Sequence, residues 1–418
     1  MSNYLPPPGT SDIFADEIPR WNFIESTARQ VFALYGYGEI RTPIFEYSEV
    51  FKKSIGQDTE VVQKEMYSFE DRGGRELTLR PEGTAGVMRA LMKTDAPNGV
   101  ETRVWYMGPM FRGERPAAGR KRQFHQVGVE NVGKCSPEHD AECIFMIMHF
   151  LEELKITGAK LLINTRGCQE DKTPAEKALR DYFASHLTSM CKDCQERFNK
   201  NIWRILDCKM PECQEPIKQA PDVKDFFTQA SKDYFSKVVD LLTKQGINFE
   251  IDRRLVRGLD YYQHTVFEVT HDTGLGAQNA ILGGGRYEIA VPGSSKSLSG
   301  VGFAAGVERL IMVQDSLNAQ LPMQKTEFVF IASLGEAAKE KNLLLASELR
   351  KSSINVLMEL ETKSMKAQMR SADRENVTKV LIRGDNEIAR NIIVMKDMKT
   401  GEQTEIPYSE VINKLRSS

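Results

Sequence analysis

Between Phe111 and Glu130 the chain reads FRGERPAAGRKRQFHQVGVE. Arg112, Arg115, Arg120, Lys121 and Arg122 crowd into the first twelve residues of this stretch, where only Glu114 opposes them. Phe124, Gln126 and Gly128 then fall on one side and His125, Val127 and Val129 on the other, the period of two that a strand produces. Forked guanidinium donors in a loop can hold a polyphosphate, while the strand behind them presents side chains to a second ligand. Without context the same residues suit a solvated charged hairpin.

Four further segments supply that context. Arg80–Gly86 reads RPEGTAG, Leu255–Tyr262 LVRGLDYY, Gly283–Tyr287 GGGRY and Gly302–Leu310 GFAAGVERL. In this order, with FRGER and RQFHQ, they resemble the histidyl-tRNA synthetase family of the bacterial type, within the class II aminoacyl-tRNA synthetases. The resemblance runs from the GTSD at Gly9 to the C-terminal end. FRGE and GFAAGVERL alone would indicate class II; RPEGTAG, RQFHQ and LVRGLDYY narrow it to the histidine enzyme and its paralogues.

The resemblance implies two reactions. The carboxylate of L-histidine attacks the α-phosphorus of ATP and pyrophosphate leaves. A ribose hydroxyl at the 3′ end of histidine tRNA then takes the histidyl group from the adenylate. The first step brings an anion to a polyanion, so positioned cations are needed. Arg112 matches the family's α-phosphate arginine and Arg309 the arginine at the γ-phosphate, with Arg120 a further ATP contact. Arg257 matches an arginine peculiar to this family, which touches both the histidine carboxylate and the α-phosphate. Arg112 and Arg257 are therefore the catalytic candidates and also count among the histidine-binding residues. At the amino acid's ammonium the resemblance places Glu82, Thr84 and Gln126, and at its imidazole Glu130 and Tyr262 with Tyr261 alongside; Gly83 also counts among the histidine-binding residues. Imidazole has two nitrogens that each need a partner, and a pocket with committed polar groups rejects side chains that leave them unpaired. Magnesium is expected with ATP, held mostly by phosphate oxygens.

Each residue also has a plainer reading. Arg309 could pair on a helix, Arg257 with Asp252 or Asp260, and Glu130 could be a surface acid at a strand end. Tyr261 and Tyr262 could be core aromatics. His125 faces away from Gln126 by alternation and reads as structural; His264 receives no role. Gly283, Gly284 and Gly285 allow positive φ and close approach to a ligand. Glu288 stands where family members commonly carry aspartate.

The elements that must position these groups follow from the pattern. Asp16 is expected to cap a helix through about Leu34, with Ile18, Trp21, Ile24, Ala28, Val31 and Phe32 at helical spacing. Strands are expected at Ile40–Phe45, on either side of the DRGGR turn, at Thr102–Met107, Gln123–Val129, Leu161–Asn164, Phe249–Arg254 and Thr265–Thr270. Helices are expected at Thr84–Met92 and Glu138–Leu154. Residues 171–244 read as a helical insertion. Past a linker at Pro322–Lys325, β and α segments alternate to the end, as in a small, mostly parallel α/β domain. The fold class is thus α+β: a class II antiparallel sheet flanked by helices over residues 1–322, and an α/β domain over 326–418, which the resemblance makes anticodon-binding. In the family the first motif also builds a homodimer.

With 418 residues and 41% hydrophobic content, the chain is long enough for two or three cored domains. The net charge of −2 argues against a non-specific DNA binder, and any RNA must meet local basic patches. No run of about 18 apolar residues is present, so no membrane span is expected. The N-terminus lacks the marks of a signal peptide, and seven cysteines fit a reducing cytoplasm. Cys191, Cys194, Cys208 and Cys213 could close a structural zinc site. The four residues between the second pair are looser than the common knuckle, and zinc is not general in the family, so free thiols are the preferred reading. The rival function is a synthetase-like regulatory subunit of ATP phosphoribosyltransferase, which usually lacks the C-terminal domain and degrades the arginine motifs. An enzyme that activates histidine without loading tRNA is a further rival, disfavoured by that same domain.

Overall fold

The computed structural model describes residues 4–56, 59, 61–258, 261–276, 279–290, 297–322 and 327–416. Leu259 and Asp260 of the LVRGLDYY segment, and residues 323–325 of the expected linker, lie outside these. The chain divides into two compact units, Met1–Met323 and Gln324–Ser418.

The first unit is built on an eight-stranded sheet. In spatial order its strands are Gly38–Glu39, Thr102–Phe111, Gln123–Val132, Ser297–Gly306, Ala280–Ala290, Tyr262–Thr270, Lys160–Thr165 and Phe249–Ile251. The six inner strands are mutually antiparallel, and the two short edge strands join in parallel. Alternation gives the sheet two different faces. Trp105, Val129, Phe267, Val301 and Phe303 point to one, where the helices Ile18–Leu34, Pro137–Glu153, Gln229–Lys244 and Val307–Ser316 bury them. Phe32 sits at the centre, its ring 5.0 Å from Phe150, 5.8 Å from Trp105 and 6.0 Å from Phe303. Tyr106, Tyr262 and Tyr287 share the other face with Tyr261 and Val87, Met88 and Leu91 of the helix Thr84–Leu91.

Several expectations change in detail. Ile40–Phe45 is not a strand: pairing occurs at Gly38–Glu39 and again at Phe45–Tyr47. Pro43 between them lacks the N–H a ladder needs. Asp16 does not cap the first helix; Glu17 occupies that position without a side-chain capping bond, and Pro19 lies in the first turn. The Phe249 strand stops at Ile251, because the Asp252 carboxylate accepts from the Arg254 amide and turns the chain. GGGRY lies inside a strand, with one register shift between Gly285 and Arg286.

The helical stretch expected over 171–244 splits in two. Phe235, Val238 and Leu242 place the helix Gln229–Lys244 on the main core. The preceding residues have a core of their own, with Leu179, Phe183, Cys194, Trp203, Ile205, Cys213 and Phe227, joined by Val256. Asp171 stands where this segment begins. Its carboxylate accepts from the amides of Cys168 and Thr228 and from the Ser231 hydroxyl.

The second unit carries a five-stranded sheet in the order Val356–Met358, Val329–Leu334, Lys379–Gly384, Ile392–Asp397, Gln403–Pro407. The first three strands are parallel and the last two antiparallel, so the sheet is mixed rather than mostly parallel. A turn closed by Gly401 at φ 75° joins the last pair, and an antiparallel pair needs no crossover helix.

Arg286, 1% exposed, donates through Nε and Nη2 to Asp140 at 2.9 and 2.6 Å and through Nη1 to the Lys134 carbonyl. The Tyr234 hydroxyl supplies Asp140 with a third donor. With Tyr234 the pair joins an inner strand to two helices. Removing one member of a buried pair strands the other's charge, at a cost of about 3–5 kcal/mol. Asp140→Ala should lower stability by that order in chemical denaturation. The double variant Asp140→Leu/Arg286→Met should recover much of the loss.

Candidate active site

On the tyrosine-rich side of the sheet a cleft of about 320 Å³ opens, lined among others by Arg112, Arg120, Lys121, Arg257 and Arg309. Glu114, Glu268 and Glu308 are its carboxylates, so cations outnumber acids. The four arginines singled out by sequence come from three separate segments, Arg112 and Arg120 from the same one, and meet here.

Each is held differently. Arg112 follows the strand Thr102–Phe111; its Nε donates to the Pro81 carbonyl and its guanidinium lies 5.3 Å from the Phe124 ring centre. Arg120 reaches Glu114 at 3.2 Å. Arg309, in the first turn of the helix Val307–Ser316, donates to the carbonyls of Gly119, at 3.0 Å, and Ala280. Burial and the like charge of Arg120 press its pKa below the ordinary arginine value, a repulsion that a bound anion would relieve. Arg257 bonds Glu268 at 2.5 Å rather than Asp252, and Asp260 lies outside the described residues. Burial disfavours its charge, but Glu268 and the Tyr262 and Tyr261 phenols outweigh that and raise its pKa. A Cβ on Gly283 would sit 2.3 Å from the Arg257 guanidinium, so glycine there makes room for the arginine.

Gln126 lines the cleft, and four residues along the same strand face is Glu130, 1% exposed. Opposite it across the ladder is Gly302, where a Cβ would lie 2.2 Å from a Glu130 oxygen. Tyr287 donates to Glu130 at 2.6 Å. Tyr261 packs against both Tyr262 and Tyr287, with ring centres 4.8 and 5.7 Å apart. Glu82 is buried before the helix Thr84–Leu91, whose N-cap is Gly83, and accepts from the amides of Thr84 and Ala85 at 3.0 and 2.7 Å. Burial raises the pKa of both acids, that of Glu130 to about 8, and the Glu82 carboxylate adds to the cost of ionising Glu130. Two buried acids of this kind call for a cationic group or hydrogen-bond donors between them.

His125 points to the helix side, against Trp21 at 4.7 Å and bonded to Glu308 at 3.1 Å. His264 stacks on Tyr234. Glu288 binds Gln263 and Ser297 at an exposed strand position. Sequence reasoning did not single out Glu268, or Tyr287 as the partner of Glu130. Tyr287 was within a quoted motif, and Glu268 was detectable as an acid between apolar neighbours in VFEVT. Cys191, Cys194, Cys208 and Cys213 gather in the insertion, their sulfurs within 4.8 Å of one another.

A largely antiparallel sheet with an arginine-lined cleft on one face is the arrangement that the sequence resemblance leads one to expect. The family model described as histidyl-tRNA synthetase matches residues 9–310, and an anticodon binding domain matches residues 328–418. The chain is 44% identical to the histidine–tRNA ligase of Halothermothrix orenii over 98% of both chains, and 42% identical to that of Bacillus subtilis over 99% of both. The apo histidyl-tRNA synthetase structure from S. aureus superposes with a TM-score of 0.82 at 33% identity over 99% of each chain. The chain belongs to the histidyl-tRNA synthetase family.

The raised pKa of Glu130 has a signed consequence. Unfolded, it ionises near 4.5; folded, near 8. Its neutral form therefore supports the fold fully below the lower value, and that contribution is lost as pH rises through the upper one. Glu130→Gln cannot ionise. The stability of this variant relative to the parent, measured without ligands, should climb from pH 5 and level off near pH 8. A pH-independent difference would contradict a buried, neutral Glu130.

Proposed function

We propose that the chain activates L-histidine with ATP and transfers it to the 3′ end of histidine tRNA. The observation that carries this reading is the meeting of Arg112, Arg120, Arg257 and Arg309 in one cleft, next to the buried acids Glu82 and Glu130. An amino acid has the matching polarity, with its carboxylate toward the arginines and its ammonium and imidazole toward the acids. The names and full-length similarity of the relatives support the same assignment.

In the first step a carboxylate oxygen bonds to the α-phosphorus as the bond to pyrophosphate breaks. Arg112 and Arg257 neutralise charge at that phosphorus, while Arg309 and Arg120 hold the distal phosphates. Glu268 keeps Arg257 aimed. Glu82, Thr84 and Gln126 receive the ammonium. Glu130, anchored by Tyr287, meets one imidazole nitrogen and Tyr262 the other, with Tyr261 packed behind. In the second step the tRNA hydroxyl attacks the histidyl carbonyl and AMP leaves. The second unit reads the anticodon. Glu114, Glu268 and Glu308 are already engaged by Arg120, Arg257 and His125. They do not form a ready protein cage for magnesium, which instead enters on the phosphates of ATP. The chain works as a cytoplasmic homodimer.

The regulatory alternative is disfavoured by Arg112, Arg257 and Arg309 and by the presence of the second unit. Histidine-dependent ATP–pyrophosphate exchange separates the two: an enzyme exchanges, a regulator does not, and charging of histidine tRNA completes the test. Arg257→Ala should lower exchange by about 10²–10³-fold, the loss typical of one transition-state contact, with ATP affinity much less affected. Unchanged exchange kinetics would remove Arg257 from the mechanism. Glu130→Ala should raise the KM for histidine and relax selectivity while sparing the KM for ATP.

A further inference from the structure

Cys191, Cys194, Cys208 and Cys213 have no part in the cleft. Three are buried, and Cys191 is partly exposed. All four sulfurs lie within 4.8 Å of one another. Cys191 and Cys208 are 3.7 Å apart, Cys194 and Cys213 3.8 Å. With a metal–sulfur distance of about 2.3 Å, a tetrahedral zinc site sets its sulfurs about 3.8 Å apart. Two opposite edges of the cluster thus already have the dimension of a filled site. An iron–sulfur cluster puts several atoms between its ligands and needs wider spacing.

The backbone around the sulfurs favours thiolates. Cys194 lies in the first turn of the helix Lys192–Lys200, and Cys213 in the first turn of Pro211–Gln219. Helix N-termini lower the cost of negative charge at such positions. The Cys191 amide donates to the Cys213 sulfur at 3.3 Å, and the Met210 amide to Cys208 at 3.5 Å. An apolar core of free thiols has no need of either arrangement. We infer that these four cysteines form a structural zinc site that ties the two short helices of the insertion together.

The inserted segment, residues 169–227, is of the size at which a hydrophobic core alone is marginal and a bound metal commonly completes the fold. The site also bears on the reaction. Val256 packs in the same small core, Arg204 donates to the Gly258 carbonyl, and Arg253 to the Lys218 carbonyl. The loop that carries Arg257 therefore rests on the zinc-bound segment, which makes zinc a positioning element rather than a catalytic one.

The test uses the full chain, purified under reducing conditions without chelator and analysed for metals. About one zinc per chain is expected, as for a closed Cys₄ site. Cys194→Ser and Cys208→Ser should each lose most of it. Should those variants fail to fold, cobalt exchange into the unaltered chain decides: a tetrahedral tetrathiolate gives intense visible and charge-transfer bands. Removal of zinc should lower the thermal transition, and zinc but not magnesium should restore it. Stoichiometric iron, two disulfides, or four thiols that react freely and bind no added zinc would each overturn the inference. None of these readouts depends on histidine activation, so the zinc site and the proposed function stand or fall separately.

Discussion

The carboxylate of Glu130 occupies the space above Gly302, and the active face is arranged around that fact. Two central strands, Gln123–Val132 and Ser297–Gly306, lie at ladder distance with an ionisable group between them and the tyrosine layer. Any side chain at residue 302 would displace the acid. Tyr287, from the next strand, supplies the hydrogen bond that the buried carboxyl needs. Glu82 approaches from a helix N-terminus, where two amides hold it. Glu82 and Glu130 are buried, while the arginines line the cleft. This separation of charge suits a ligand that carries both signs.

The same economy of space recurs at Gly283, where the missing side chain admits Arg257. Arg257 is fixed by Glu268 from the adjacent strand. A guanidinium held this way is set in place before any ligand arrives, so little ordering remains for the moment of reaction. Arg309 and Arg120 have the opposite character: they repel each other, and a polyphosphate would remove that repulsion.

Much of this was legible in the chain. The alternation after Phe124 marks the strand that carries Gln126, and the arginine motifs hold Arg112, Arg120, Arg257 and Arg309, which line the cleft, whereas Glu82, Glu130, Tyr261 and Tyr262 are not among its lining residues. What stayed hidden depends on distance along the chain. The plainer reading of Arg257 looks to acids a few positions away, while the partner the structure shows, Glu268, comes from a strand eleven residues on. Tyr287 and Glu130 are 157 positions apart, and no local pattern links them. The helix Gln229–Lys244 looked continuous with the insertion because its composition is the same; only the direction of Phe235, Val238 and Leu242 assigns it to the main core. Pro43 was the exception, a visible reason for the break in Ile40–Phe45 that hydrophobic content obscured.

Asp171 gathers donors from the point where the inserted segment departs and from the point where the chain returns. Departure and return are thus fastened at a single carboxylate. A segment closed off in this way is an exchangeable module: it can be lengthened, trimmed or replaced by an unrelated sequence without altering the register of any strand in the parent sheet. Its freedom is limited on one side only, where it supports the loop behind Gly258, and that shared border is where drift in one part would have to be answered by the other.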